Sequence, residues 1–123
     1  MRMWMVNPKL LCNQHLCGEH GEIHKHKHNF VKGHRMHGRL NPVVQIEPSK
    51  MGQRHDELAE EMLRRGMNHK SPYEQPRIDH YGNEVINARV DINISLKDLC
   101  ERCPRCKERI EESEKASISQ KSQ

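Results

Sequence analysis

The sequence predicts an all-α fold, a single compact domain of a few helices with long loops and a flexible C-terminal tail. Three observations predict it. Apolar residues recur at helical spacing in two segments, at Cys12, Leu16, Ile23 and Phe30 and again at Met51, Leu58, Met62 and Leu63. The strand-like alternation of Val90, Ile92, Ile94 and Leu96 has nothing to pair with. Finally, 123 residues with 33% hydrophobic and 3% aromatic side chains supply one modest core, not two.

The first helix is expected over about residues 8–31, with Asn7-Pro8 as N-cap and first helical position. Gly33, Gly38 and Asn41-Pro42 then break the chain into a loop carrying the basic run KGHRMHGR. A second helix begins near Ser49 as its cap. Asp56 and Glu57 come early, Arg64 and Arg65 fall in its last turn, and Gly66 supplies a left-handed stop. Residues 68–83, with Pro72, Pro76 and Gly82, form a surface connection. An extended segment then leads into a helix from about Ser95, which Pro104 interrupts or kinks. The boundary lies near residue 110: a helical domain over 1–110 and a polar Ser/Gln/Lys-rich tail over 111–123, expected to be disordered.

A net charge of +4 rises as ten histidines protonate near pH 6.5. A polyanionic partner fits, although 21 basic residues beside 17 acidic ones also simply solvate a surface. No run approaches the roughly 18 apolar residues of a membrane span, and MRMWMVNP lacks the apolar centre of a secretory signal, so a cytoplasmic protein is expected. An odd number of cysteines, five, suits reduced thiols.

The segment CNQHLCGEHGEIHK, residues 12–25, packs glutamine, histidines, two acids and two glycines into fourteen residues. At about 100° per residue, Gln14, Gly18, Gly21, Glu22 and Lys25 share one arc while Cys12, Leu16 and Ile23 lie opposite. Two glycines on one helical face cost about 1 kcal/mol each relative to alanine, which implies a close approach by something. Another backbone at a tight helix crossing, with Glu22 solvated, and a ligand are both compatible with that face. Glu19 sits off its centre and is expected at the surface.

NQHLCGEHGEIHK resembles the first-helix motif of the phage-type pyrimidine-dimer DNA glycosylases, also called phage endonuclease V. RHDELAEEMLRRGMNHKSP, residues 54–72, is similar to a second motif of that family, in the expected order. The resemblance implies a compact all-helical domain whose amino terminus threads between helices to reach the first one. It also implies cofactor-free chemistry on lesion-bearing double-stranded DNA by a monomer. The chain's own α-amine attacks the sugar C1′, and the resulting Schiff base undergoes β-elimination. Met1 matches the nucleophile position and Glu22 the catalytic glutamate, while Arg2, Gln14, His15 and Lys25 match DNA-contacting positions. An α-amine, with a pKa of about 7.7–8.0, is partly neutral near pH 7, as a nucleophile must be. Two readings remain more ordinary: His15 as a partly buried histidine satisfied by backbone, and Lys25 as a solvated lysine.

Gly21 stands where the family has an arginine, which implies loss of a phosphate or sugar contact. The family's best-known member ends in an aromatic tail that helps read the lesion, whereas this sequence ends in a polar Ser/Lys tract; base stacking there is not expected, and the expected substrate is a pyrimidine dimer, another lesion or an abasic site. Cys100, Cys103 and Cys106 are candidate zinc ligands, but no second pair stands at zinc spacing; a fourth ligand would have to come from Cys12, Cys17 or a histidine. The expectation is therefore no metal. His20, His24 and His28 form an i, i+4 stripe, read as a solvated histidine-rich face because lysines interleave it. The rival reading is a non-enzymatic, zinc-stabilised nucleic-acid-binding module.

Overall fold

The computed structural model describes residues 3–33, 40, 43–68, 73–79 and 81–121, the side chains of 116–121 excepted. Among them are five α-helices and no strand: α1 Asn13–Val31, α2 Met51–Arg64, α3 Asn83–Ile86, α4 Ile92–Arg102 and α5 Pro104–Lys121. Short 3-10 turns occupy Pro8–Leu10 and Pro48–Lys50. The all-α expectation holds. Position 111, where the composition turns polar, lies within α5.

The expected first helix divides in two. Asn7 does cap a turn, its Oδ1 accepting from the Lys9 N–H at 3.1 Å, but that turn ends at Leu11, whose backbone is extended. Cys12 is extended as well and is the N-cap from which α1 starts. The break buries Leu11 completely and turns the Cys12 thiol inward. On α1, Leu16, Ile23 and Phe30 are fully buried, each worth about 1.5–3 kcal/mol of apolar burial.

Helix α2 packs across α1. Met51, Leu58 and Met62 face the core, whereas Leu63, expected on the same side, is 56% exposed. Ser49 does not cap the helix; it lies within the preceding 3-10 turn, and the N-cap position is Lys50, without a side-chain bond. The far end is as expected. Gly66 has φ +83°, and the Gly66 and Met67 amides donate to the carbonyls of Leu63 and Met62, a Schellman ending. Arg65 then fixes this end to the start of α1: it bonds Glu61 at 2.8 Å, Asn13 Oδ1 at 2.9 Å and the Pro8 carbonyl at 3.2 Å.

The alternation at Val90–Leu96 is not extended throughout. Asp91 accepts from the amides of Asn93 and Ile94 at 2.9 and 3.3 Å, so α4 begins at Ile92, three residues before the expected start. Ile92 and Ile94 are exposed rather than forming a strand face. Asp91→Ala is expected to destabilise the protein by about 1 kcal/mol, and Asp91→Asn by much less, measured by urea denaturation. A loss within error for Asp91→Ala would mean the cap contributes nothing. As expected, Pro104 interrupts the helix: α4 stops at Arg102, Cys103 is extended, and Pro104 takes the first position of α5.

Candidate active site

The start of the described chain is built into the core. Met3, Trp4 and Val6 are buried. The Met3 N–H donates to the Gln45 carbonyl at 2.7 Å, and its Sδ accepts from the Glu47 amide at 3.3 Å. Between them Met5 adopts a left-handed φ of +59°, a conformation that costs a residue with a side chain about 1–2 kcal/mol. The buried neighbours on both sides offset that strain.

This segment brings Trp4 to the polar face of α1. Trp4, Gln14, His15, Gly18, Glu19, Glu22 and Arg102 line a groove of ≈ 320 Å³. The Trp4 and His15 rings meet edge to face at 5.7 Å. Glu22 is half-buried, and its Oε2 is buried without a hydrogen-bond partner among the described residues. An unpaired carboxylate oxygen shielded from water is costly unless a cation or donor arrives. Apart from the adjoining backbone of α1 and each glycine's chain neighbours, no described atom lies within 4 Å of where a Cβ would stand on Gly18 or Gly21. Among the described residues, therefore, no tight helix crossing is made at either glycine, and both leave this face open.

Of the sequence-derived candidates, the groove gathers Gln14, His15 and Glu22. Lys25 is exposed on α1 and does not line it. Met1 and Arg2 lie outside the described residues, as do positions 34–39 of the basic loop and 69–72 of the second motif. Trp4 and Arg102 are groove residues that sequence reasoning missed. The lone tryptophan in a short apolar opening segment was a usable signal for the first; nothing in the sequence singles out the second.

Glu19 corrects the surface expectation. It is 1% exposed and forms a fork with Arg54, also 1% exposed, at 2.6 Å (Nε–Oε2) and 3.0 Å (Nη2–Oε1). Its spacing, three residues after Leu16 and four before Ile23, puts it on the core side of α1. Its charge had suggested the opposite.

The histidine stripe is corrected too. His28 is exposed, but His20 and His24 are half-buried against α2. His20 Nε2 lies 3.1 Å from His55 Nε2, the His24 ring is 5.0 Å from that of His55, and Tyr73 stacks on His55 at 4.8 Å. Burial pushes the Tyr73 phenol well above its ordinary pKa. The donor atoms of His20, His24 and His55 are close enough to share an ion, and so are those of Cys12, His15, Cys103 and Cys106. Cys100, a sequence candidate for metal, is in neither group. Burial lowers the His15 imidazole below its usual pKa, and its Nδ1 faces the thiols.

Fold and site together define a small helical protein with an open, carboxylate-bearing groove at the start of its chain. The family profile described as pyrimidine dimer DNA glycosylase matches residues 1–75. The chain belongs to that family, which makes it a DNA glycosylase with DNA as its substrate class. No match is found among curated proteins or among solved structures. None of the described helices is long and apolar enough to cross a membrane.

Proposed function

We propose that the protein cleaves a glycosidic bond of a pyrimidine dimer, or processes an abasic site, through a Schiff base on its own α-amine and then cleaves the strand by β-elimination. The observation that carries this reading is the shared groove of Trp4 and Glu22, because Trp4 is three residues from Met1. A chain extends by at most about 3.3–3.6 Å per residue, so an α-amine two residues before the anchored Met3 has the reach to act at this end of the groove, which is what the reading requires.

The neutral amine bonds to C1′ as the bond from C1′ to the base nitrogen breaks. The base keeps that electron pair and takes up the proton that the attached nitrogen gives up; at a dimer it stays joined to its neighbour through the cyclobutane ring. O4′ then leaves C1′, also taking a proton, as the nitrogen lone pair forms the iminium. Loss of a C2′ proton expels the 3′ phosphate, and water finally releases the amine. Glu22 is the group assigned to stabilise the cationic iminium and to move these protons, as an acid–base carboxylate does. An Oε2 with no partner among the described residues suits that role, because the iminium would supply a positive one.

We assign phosphate, sugar or base contacts to Arg2, Gln14 and Lys25, with Arg102 as a further cation on the groove wall. His15 contributes its ring beside Trp4. We take the working form to be a monomer in the cytoplasm acting on double-stranded DNA.

Borohydride reduction in the presence of DNA carrying a cyclobutane dimer or an abasic site tests the covalent step. The expected result is a stable protein–DNA adduct that maps to the amino terminus and vanishes when the α-amine is acetylated. An adduct that maps to a lysine would overturn the assignment of Met1. Binding to both DNAs with no adduct on either would reduce the protein to a binding module.

A further inference from the structure

Three thiols and an imidazole converge where α1 begins and where α4 gives way to α5. Cys12 is the N-cap of α1 and His15 lies in its first turn. Cys103 is the extended residue between α4 and α5, and Cys106 lies in the first turn of α5. The three cysteines are buried and free. Cys12 Sγ is 3.8 Å from Cys103 Sγ, while His15 Nδ1 is 3.2 Å from Cys12 Sγ and 3.5 Å from Cys106 Sγ. All four donor atoms lie within 4.8 Å of one another.

A tetrahedral zinc ion, with bonds of about 2.3 Å to sulfur and about 2.0–2.1 Å to nitrogen, holds its ligands about 3.8 Å apart for two sulfurs and about 3.5 Å apart for sulfur and nitrogen. The cluster is already close to that geometry. Mutual hydrogen bonding is a poor reason for it, since thiols are weak donors and weak acceptors. Backbone amides are also aimed at the sulfurs: the Cys12 amide donates to Cys106 Sγ at 3.3 Å, and the Cys106 amide donates to Cys103 Sγ at 3.4 Å. Two helix N-termini, with their positive dipole ends, meet at the same point.

We propose that Cys12, His15 through Nδ1, Cys103 and Cys106 bind one structural zinc ion that ties the start of α1 to the α4–α5 junction. The second ligand pair that seemed missing is Cys12-Asn-Gln-His15, a C-x-x-H that answers the C-x-x-C of Cys103-Pro-Arg-Cys106. Four protein ligands close the coordination sphere, which makes the site structural rather than catalytic. So compact a donor set suits a single ion, whereas an iron–sulfur cluster spreads its ligands around several metals. Cys103 and Cys106 lie beyond the residues matched by the family, and Arg102 of the groove immediately precedes Cys103. The ion would therefore clamp the groove wall contributed by the second half of the chain. The proposal does not depend on the glycosylase chemistry.

Untagged protein purified without chelator should carry one zinc per chain by elemental analysis. Cys103→Ser and Cys106→Ser should lose most of it, while Cys17→Ser, on an exposed thiol, and Cys100→Ser should retain it. Because the serine variants can fail to fold, cobalt(II) titration of stripped wild-type protein provides a second measurement. The expected spectrum has the visible bands of a tetrahedral ion and near-ultraviolet thiolate charge transfer, both abolished by zinc. Metal-free protein without that spectrum, iron in place of zinc, or a disulfide among the three cysteines would each overturn the proposal. So would zinc that survives Cys106→Ser but is lost in His24→Ala, which would move the ion to the histidine cluster.

Discussion

Glu22→Gln is expected to slow single-turnover glycosidic-bond cleavage and strand cleavage by about 10²–10⁴-fold, the usual contribution of a positioned acid–base group. Affinity for lesion-bearing DNA should change little. Glutamine keeps the shape and one acceptor oxygen, so the groove between Trp4, Gln14 and Arg102 should survive. It lacks the negative charge that would face the iminium and has no carboxylate to accept a C2′ proton. The buried Oε2 of Glu22 has no described partner that the substitution would leave stranded, so a folding defect is not the expected route to lost activity. Pre-steady-state rates on dimer-containing and abasic duplexes, with binding measured in parallel, separate the possibilities. An unchanged chemical rate removes Glu22 from the mechanism, and a weakened affinity with normal chemistry makes it a binding residue.

The largest stability effect is expected at Arg54. Its guanidinium holds Glu19 through two bonds at 2.6 and 3.0 Å, with both side chains almost fully withdrawn from water. Arg54→Met leaves the Glu19 carboxylate buried and unpaired, which costs about 3–5 kcal/mol. A small domain has a total stability of about 5–15 kcal/mol, so this variant should be close to unfolding. Lysine is no substitute, because it cannot reproduce the planar fork. Replacing both partners, in Glu19→Leu/Arg54→Met, should recover most of the loss, since no charge is then left buried. Denaturant melts of the two single variants and the double variant measure the coupling. If the double variant is as unstable as the sum of the singles, the pair does not act as a unit.

Much of the fold is legible in the order of residues, because local chemistry sets it. The spacing of Leu16, Ile23 and Phe30, the Gly66 stop and the Pro104 break each depend on neighbours within a few positions. The same periodicity puts Glu22 on the face opposite the core, beside Gln14 and Gly18, before any tertiary information is used. The misplaced helix starts have local causes that were also present but outweighed: Leu11 extends to bury itself, and Asp91 caps α4 earlier than the alternating isoleucines suggest.

What the sequence by itself determined, then, is the helical class, the two main amphipathic helices and the polar face that carries Glu22. The tertiary structure alone decided which distant groups meet. Glu19 finds Arg54 35 residues away, and Cys12 finds Cys103 91 residues away. His20 and His24 turn out to face His55, and Trp4 and Arg102 close the groove from opposite ends of the chain. The physical reason is that periodicity reports which residues share a side of one helix, while a buried charge or a ligand cluster exists only once a second element supplies its counterpart. Read alone, Glu19 is a surface carboxylate and Cys12 one of several candidates for a fourth ligand; packing makes one half of an ion pair and the other a corner of a four-donor site.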